Sequence, residues 1–278
     1  MKKAIIVVSF GTSYLEAIEK SIGKIENRIR ESFEEYEVYR AFTAHRIIKK
    51  LKEKHSIIVP TPEEILDNLH KEGYEEIIIQ PLHIIPGEEF QYINRVRDEY
   101  KNKFKTLYVG RPVFYYEGIE DIPNDYSLFI ESIKDLINDK NVVMVGHGTA
   151  HPSNAVYGCL QCVLEDKGYN NVFIGTVEGY PTFESVLNRL NKRSIKEVTI
   201  VPLMLVAGDH AVNDMAGEDE DSWKSMLEAN GIKVNMYLHG LGEHEGFEDL
   251  YVQRIDDIIN KRYLGIGETK KGKRRCKH

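Results

Sequence analysis

The 278-residue chain lacks any apolar run near the roughly 18–20 residues needed to span a membrane; its longest apolar stretches, such as Ala4 to Val8, fit buried strands. Three cysteines cannot build a disulfide framework. The N-terminal MKKAIIVVSF has a short charged start, but its apolar run stops at Gly11, with no signal-peptide core or cleavage site. A cytoplasmic protein is expected. No GxGxxG and no Walker A sequence is present, so nothing points to a dinucleotide or to ATP. The net charge of −7 disfavours a nucleic-acid partner. The one strong basic run, Lys270–Lys277, reads as a solvated tail.

What the chain does have is an internal repeat. IIVVSFGTS at 5–13 matches VVMVGHGTA at 142–150, an offset of 137 that aligns Gly11 with Gly148. EEIIIQPLHIIPGEE at 75–89 matches KEVTIVPLMLVAGDH at 196–210, and PTPEEIL from Pro60 matches PTFESVL from Pro181, both offset by 121. Each half alternates β-branched runs with helical patterns. Strands are predicted near 4–10, 36–42, 75–85 and 105–110, then near 141–146, 171–177, 197–206 and 232–238. Ile18, Ile22, Ile25 and Ile29 mark one helix face, and Thr61-Pro62 reads as an N-cap followed by proline at the first helical position. Further helices are expected over 61–72, 88–103, 151–168, 181–192, 211–230 and 246–262. The fold class is α/β: two similar doubly wound lobes with parallel sheets. The division is residues 1–120, 121–264 carrying a metal site, and a tail at 265–278.

In open parallel sheets, ligands bind beyond the carboxyl ends of the strands. In the second half those ends carry His147, Glu178 and His210, spaced by 31 and 32 residues. Parallel neighbours bring such residues to one mouth. Two imidazoles and a carboxylate suit a first-row divalent metal, with open positions that fit transfer or catalysis. Each could equally be a hydrogen-bonded surface residue. In the first half, Phe10 aligns with His147 and Glu89 with His210, so that copy lacks the metal set. Phe10, Ser13, Tyr14 and His83 become candidates for a substrate face. His83 aligns with Met204, and a core histidine beneath the site is the competing reading. Cys159 and Cys162 lie in an apolar helical run with no second such pair, and Glu218–Asp221 reads as a solvated loop or helix start.

Taken together, KKAIIVVSFGTSY, YRAFTAHRIIKKL, GHGTAHP, TVEGYP, PLMLVAGDHAVNDMAGEDEDSW and GLGE resemble the anaerobic sirohydrochlorin cobaltochelatases, the CbiK family, over residues 1 to about 262. The resemblance implies a two-lobed class II chelatase fold and a lyase that inserts Co²⁺ into sirohydrochlorin, or precorrin-2, without ATP in anaerobic cobalamin biosynthesis. It implies His147, Glu178 and His210 as metal ligands. Because a metal replaces two pyrrole N–H protons and a neutral imidazole suits their uptake near pH 7, His147 is expected to be base as well as ligand, with Glu178 also catalytic. Some relatives accept Fe²⁺ for sirohaem, so iron or nickel insertion is an alternative, as is a non-catalytic metal or tetrapyrrole carrier; a homo-oligomer is allowed. A substrate with eight carboxylates needs local positive charge, for which Arg40, Arg46 and Lys49 are candidates alongside ordinary solvated surface.

Overall fold

Each half begins with an apolar strand that becomes the centre of its own sheet. In the computed structural model, which describes residues 1–118, 122–208 and 211–263 (211 and 212 by backbone only), the first half supplies β1 (Lys2–Ser9), β2 (Glu37–Phe42), β3 (Tyr74–Pro81) and β4 (Thr106–Val109). The second supplies β5 (Val142–Gly146), β6 (Val172–Thr176), β7 (Glu197–Pro202) and β8 (Lys233–Met236). The sheet orders are β2-β1-β3-β4 and β6-β5-β7-β8, with every pairing parallel. In each sheet the chain goes to one side of the central strand and then crosses to the other. The order therefore reverses between β1 and β3, and between β5 and β7.

The repeat persists at the level of single residue pairs. Val8 pairs with Pro81, and Val145 with Pro202. One residue later, the Leu82 amide donates to the Val8 carbonyl at 2.7 Å, and Leu203 donates to Val145 at 2.8 Å. Each proline costs no ladder bond. Alternate residues face the next strand, whose pairing has already ended at Ile79–Val109 and Ile200–Met236. The aligned threonines repeat too. Thr61 caps the helix Pro62–Lys71 by accepting from the Glu64 amide, and Thr182 caps Phe183–Lys192 by accepting from Ser185.

Alternation along the central strands sorts the core into layers. Ala4, Ile6 and Val8 face the helices Pro62–Lys71 and Glu88–Tyr100, while Val143 and Val145 face Phe183–Lys192 and Trp223–Ala229. The opposite faces, through Ile5, Val7, Val142 and Met144, belong to one continuous apolar cluster shared by both halves. Ile18, Ile22, Ile25 and Ile29 all enter it, from a helical run with a π-helical stretch at Ile18–Gly23. The last helix, Glu245–Ile259, packs against Lys24–Ser32 and β3, so the end of the chain closes over the first sheet.

A buried ion network fixes that closure. Arg111 donates to both oxygens of Asp125 at 3.1 Å and to Asp257 at 2.7 Å. Arg254, fully buried, donates to the carbonyls of Pro112, Val113 and Leu250 and lies 3.5 Å from Asp125. Burial pushes its guanidinium down to about 10. The connecting segment after β4 is thereby bound to the final helix.

Three elements differ from expectation. β3 and β7 stop at their prolines, so 82–85 and 203–206 are loop rather than strand. The single helix expected over 211–230 is a π-helical turn, Ala211–Met215, and a separate helix, Trp223–Ala229, capped by Ser222. The helix His45–His55 was not singled out by the sequence pattern, and its N-cap Ala44 offers no side-chain acceptor. No described helix is long and apolar enough to cross a membrane. The basic tail from residue 265 lies outside the described residues.

Two stability outcomes follow. Asp125→Ala leaves Arg111 and Arg254 buried without a shared counter-charge and should cost about 3–5 kcal/mol in urea unfolding. Gly148 has φ +83°, and a Cβ there would stand 2.7 Å from the Glu178 carbonyl carbon. Gly148→Ala should cost about 1–3 kcal/mol in the same measurement.

Candidate active site

The carboxyl ends of the four strands at the two reversal points open into one cavity of about 470 Å³. Phe10–Ser13 follow β1, Leu82–Ile85 follow β3, His147–Thr149 follow β5, and Leu203–Val206 follow β7; all of them line it. This is where a crevice forms in a doubly wound sheet, because successive crossovers leave the central strand in opposite directions. Here two such crevices face each other.

The wall of the second lobe carries His147. Gly148, with its positive φ, lets the chain turn out of β5 and lie close against the turn after β6. The Glu178 amide donates to the His147 carbonyl at 2.7 Å, and the Val177 amide to the Gly146 carbonyl at 3.0 Å. Asn154 clamps the same place, accepting from the Thr149 amide and donating to the Tyr180 carbonyl. The result sets His147 Nδ1 3.9 Å from Glu178 Oε2, with side chains 43% and 66% exposed. His147 Nδ1 also lies 3.1 Å from the Gly148 carbonyl oxygen, which only accepts, so Nδ1 carries the hydrogen and the ring's lone pair sits on Nε2. An exposed imidazole beside an exposed carboxylate can take a divalent ion without reorganising the core.

His210, the third expected ligand, lies outside the described residues. Among those described, no three His, Cys, Asp or Glu side chains gather as a metal-holding group. The structure thus brings together two of the three expected ligands.

The wall of the first lobe is apolar where the second is polar. Phe10 stands 52% exposed on the cavity, in the position that His147 holds in the repeat. Ser13 is buried on the same wall, and Tyr14 is exposed, with Lys50 Nζ 6.0 Å from its ring. Glu88 and Glu89 reach the cavity from the first turn of Glu88–Tyr100. His83 lines the cavity, both of its ring nitrogens are buried without a hydrogen-bond partner among the described residues, and desolvation pushes its pKa down to about 4. The imidazole is neutral at physiological pH.

The basic residues separate into different roles. Arg40 is committed to a buried carboxylate, donating to Glu26 at 2.6 and 2.7 Å. It is therefore not a surface group for substrate. Lys49 pairs with Glu53 on the surface at 3.7 Å. Arg46 is exposed, next to Ile47, which lines the cavity. Cys159 and Cys162 are free thiols on the helix Ala155–Asp166. His239 pairs with Glu243 at the surface, while His244 is partly buried against Tyr237. The residues that sequence reasoning missed are the apolar lining from Leu82, Ile84, Ile85, Leu203 and Leu205. Their signal was the paired prolines immediately before them, which end both strands at the same register.

Comparison with known proteins agrees with this architecture. Residues 3–260 match the family model described as cobalt chelatase (CbiK). A sirohydrochlorin cobaltochelatase of Salmonella typhimurium is 36% identical over 264 residues, covering 94% of this chain and 97% of that protein. A second, from Nitratidesulfovibrio vulgaris, is 32% identical over 268 residues, covering 93% and 91%. The solved structure of SirB from Bacillus subtilis with Fe³⁺ superposes with a TM-score of 0.62 at 16% identity, covering 96% of this chain and 98% of that one, a likeness of fold. With its duplicated parallel sheets and its family match along nearly the whole chain, this protein belongs to the CbiK cobalt chelatase family.

Proposed function

We propose that the protein inserts Co²⁺ into sirohydrochlorin, or into precorrin-2, without ATP. The observation that carries this reading is the asymmetry of one shared cavity: His147, with Glu178 3.9 Å from its ring, stands on one wall, and Phe10 occupies the equivalent place on the other. A flat macrocycle can lie between the walls. The apolar loops after β3 and β7 suit its rings, and Arg46, exposed beside the cavity-lining Ile47, suits its carboxylates.

The reaction replaces two pyrrole hydrogens by one divalent ion. The ion is a substrate, so its site must hold it and then release it. An open-sided set of His147, Glu178 and His210 does this better than a closed four-ligand cage, because ring nitrogens can displace the protein ligands one at a time. The Nδ1–H of His147 held by the Gly148 carbonyl keeps Nε2 directed to the metal. No energy input is required if the product complex is more stable than the free ion and the free ring. Family relatives bearing the name sirohydrochlorin cobaltochelatase support this substrate pair.

Catalytic amounts of protein with sirohydrochlorin and Co²⁺ should give multiple turnovers in the visible spectrum, faster than with Fe²⁺ or Ni²⁺. A stoichiometric spectral change that then stops would identify a carrier, and faster iron insertion would identify sirohaem formation. Glu178→Gln and His210→Ala should weaken Co²⁺ binding in calorimetry and lower turnover. Phe10→Ala should instead weaken tetrapyrrole binding, by about 1–3 kcal/mol, and leave Co²⁺ binding intact.

A further inference from the structure

The loop after β3 is tied down at every backbone position that matters, yet the side chain it displays has no partner. Leu82 donates to Val8 at 2.7 Å, and Tyr251 Oη, reaching across from the last helix, donates to the Leu82 carbonyl at 3.0 Å. The Val113 amide donates to the His83 carbonyl at 3.0 Å, and Phe114 to Ile84 at 2.9 Å. The loop that carries His83 is therefore held on the cavity wall by four hydrogen bonds, while neither ring nitrogen bonds to any described residue. A buried polar group left unpaired lowers stability, so such a group needs a reason. Its ring nitrogens keep their hydrogen-bonding capacity for a molecule bound in the cavity that His83 lines. The repeat shows that the fold does not require an imidazole there, because the aligned residue is Met204.

The chelatase reading above, on which this inference rests, leaves one role unfilled. Two protons must leave the macrocycle. While His147 holds the ion on Nε2 and donates from Nδ1 to Gly148, its ring has no lone pair for a proton. We propose that His83, on the first-lobe wall, accepts the first of the two pyrrole protons. The N–H bond breaks, its electron pair stays on the ring nitrogen and binds the entering Co²⁺, and the proton joins the lone pair of the His83 imidazole. His83 passes that proton to water and accepts the second in the same way. The metal enters as 2+, the macrocycle gives up 2 H⁺, and no electron changes hands. The dry surroundings that keep His83 neutral also make its imidazolium a ready donor, so the proton passes to water at the cavity mouth and the base is restored.

The test compares Co²⁺ insertion by wild type, His83→Met, His83→Gln and Glu89→Gln, with Co²⁺ binding measured separately by calorimetry without tetrapyrrole. Methionine is the residue the repeat already carries in this place, and glutamine keeps hydrogen-bonding capacity without accepting a proton. Both His83 variants should lose about 10²–10⁴-fold in kcat while binding Co²⁺ as wild type does. A folded His83 variant with wild-type kcat overturns the proposal, as does a loss in Glu89→Gln matched by none in the His83 variants, which would assign the step to that carboxylate. Nitrogen-15 histidine spectra of the wild type supply a reading that does not depend on any variant folding. The His83 ring resonances should shift when metal-free sirohydrochlorin binds, and unchanged resonances at saturation overturn the contact. A wild type that inserts no metal would instead defeat the chelatase reading itself.

Discussion

Everything at the site depends on where two central strands stop. Pairing of β1 with β3 ends at Val8–Pro81, and pairing of β5 with β7 ends at Val145–Pro202. One more backbone bond follows in each lobe, from Leu82 and Leu203, and then the chains diverge. That divergence opens a crevice at each reversal of strand order, and the shared core between the sheets turns the two crevices toward each other. A longer β3 or β7 would fill the space that the cavity occupies.

The same shared core brings both crevices of the duplication onto one cavity. Ile5 and Val7 from the first sheet and Val142 and Met144 from the second lie in one apolar cluster, with the last helix packed back on the first half. The halves are coupled through the buried arginines and aspartates near the segment after β4, and Tyr251 reaches from the last helix to the loop that carries His83. With the walls held in one frame, the second copy can supply ligands, and the first can trade them for an aromatic ring and a dry imidazole. Arg46 stands exposed beside Ile47, which lines the cavity of this −7 chain.

Most of this was legible in the sequence because the repeat fixes both the strand order and the aligned positions. The placement of His147 and Glu178 at neighbouring strand ends was readable from the repeat, and the structure sets their side chains 3.9 Å apart. What was not legible had specific causes. HIIP and LMLV are as apolar as the strands they follow, and burial against a cavity or against a neighbouring strand selects the same side chains; only the prolines mark the boundary. Arg40 looked like a surface cation because its partner, Glu26, is a helix position that pattern alone assigns to solvent. The break within 211–230 depends on Ser222 capping the helix Trp223–Ala229 while Met215 packs into the core, a tertiary preference that local propensity does not carry.

The central claim is that a duplicated fold keeps one metal site, on its second lobe. Anomalous diffraction at the cobalt edge from crystals soaked in Co²⁺ tests this most directly. The account predicts a single strong peak per chain beside His147 and Glu178. A second peak of equal height beside Phe10 and Glu89, or a lone peak there, would contradict it.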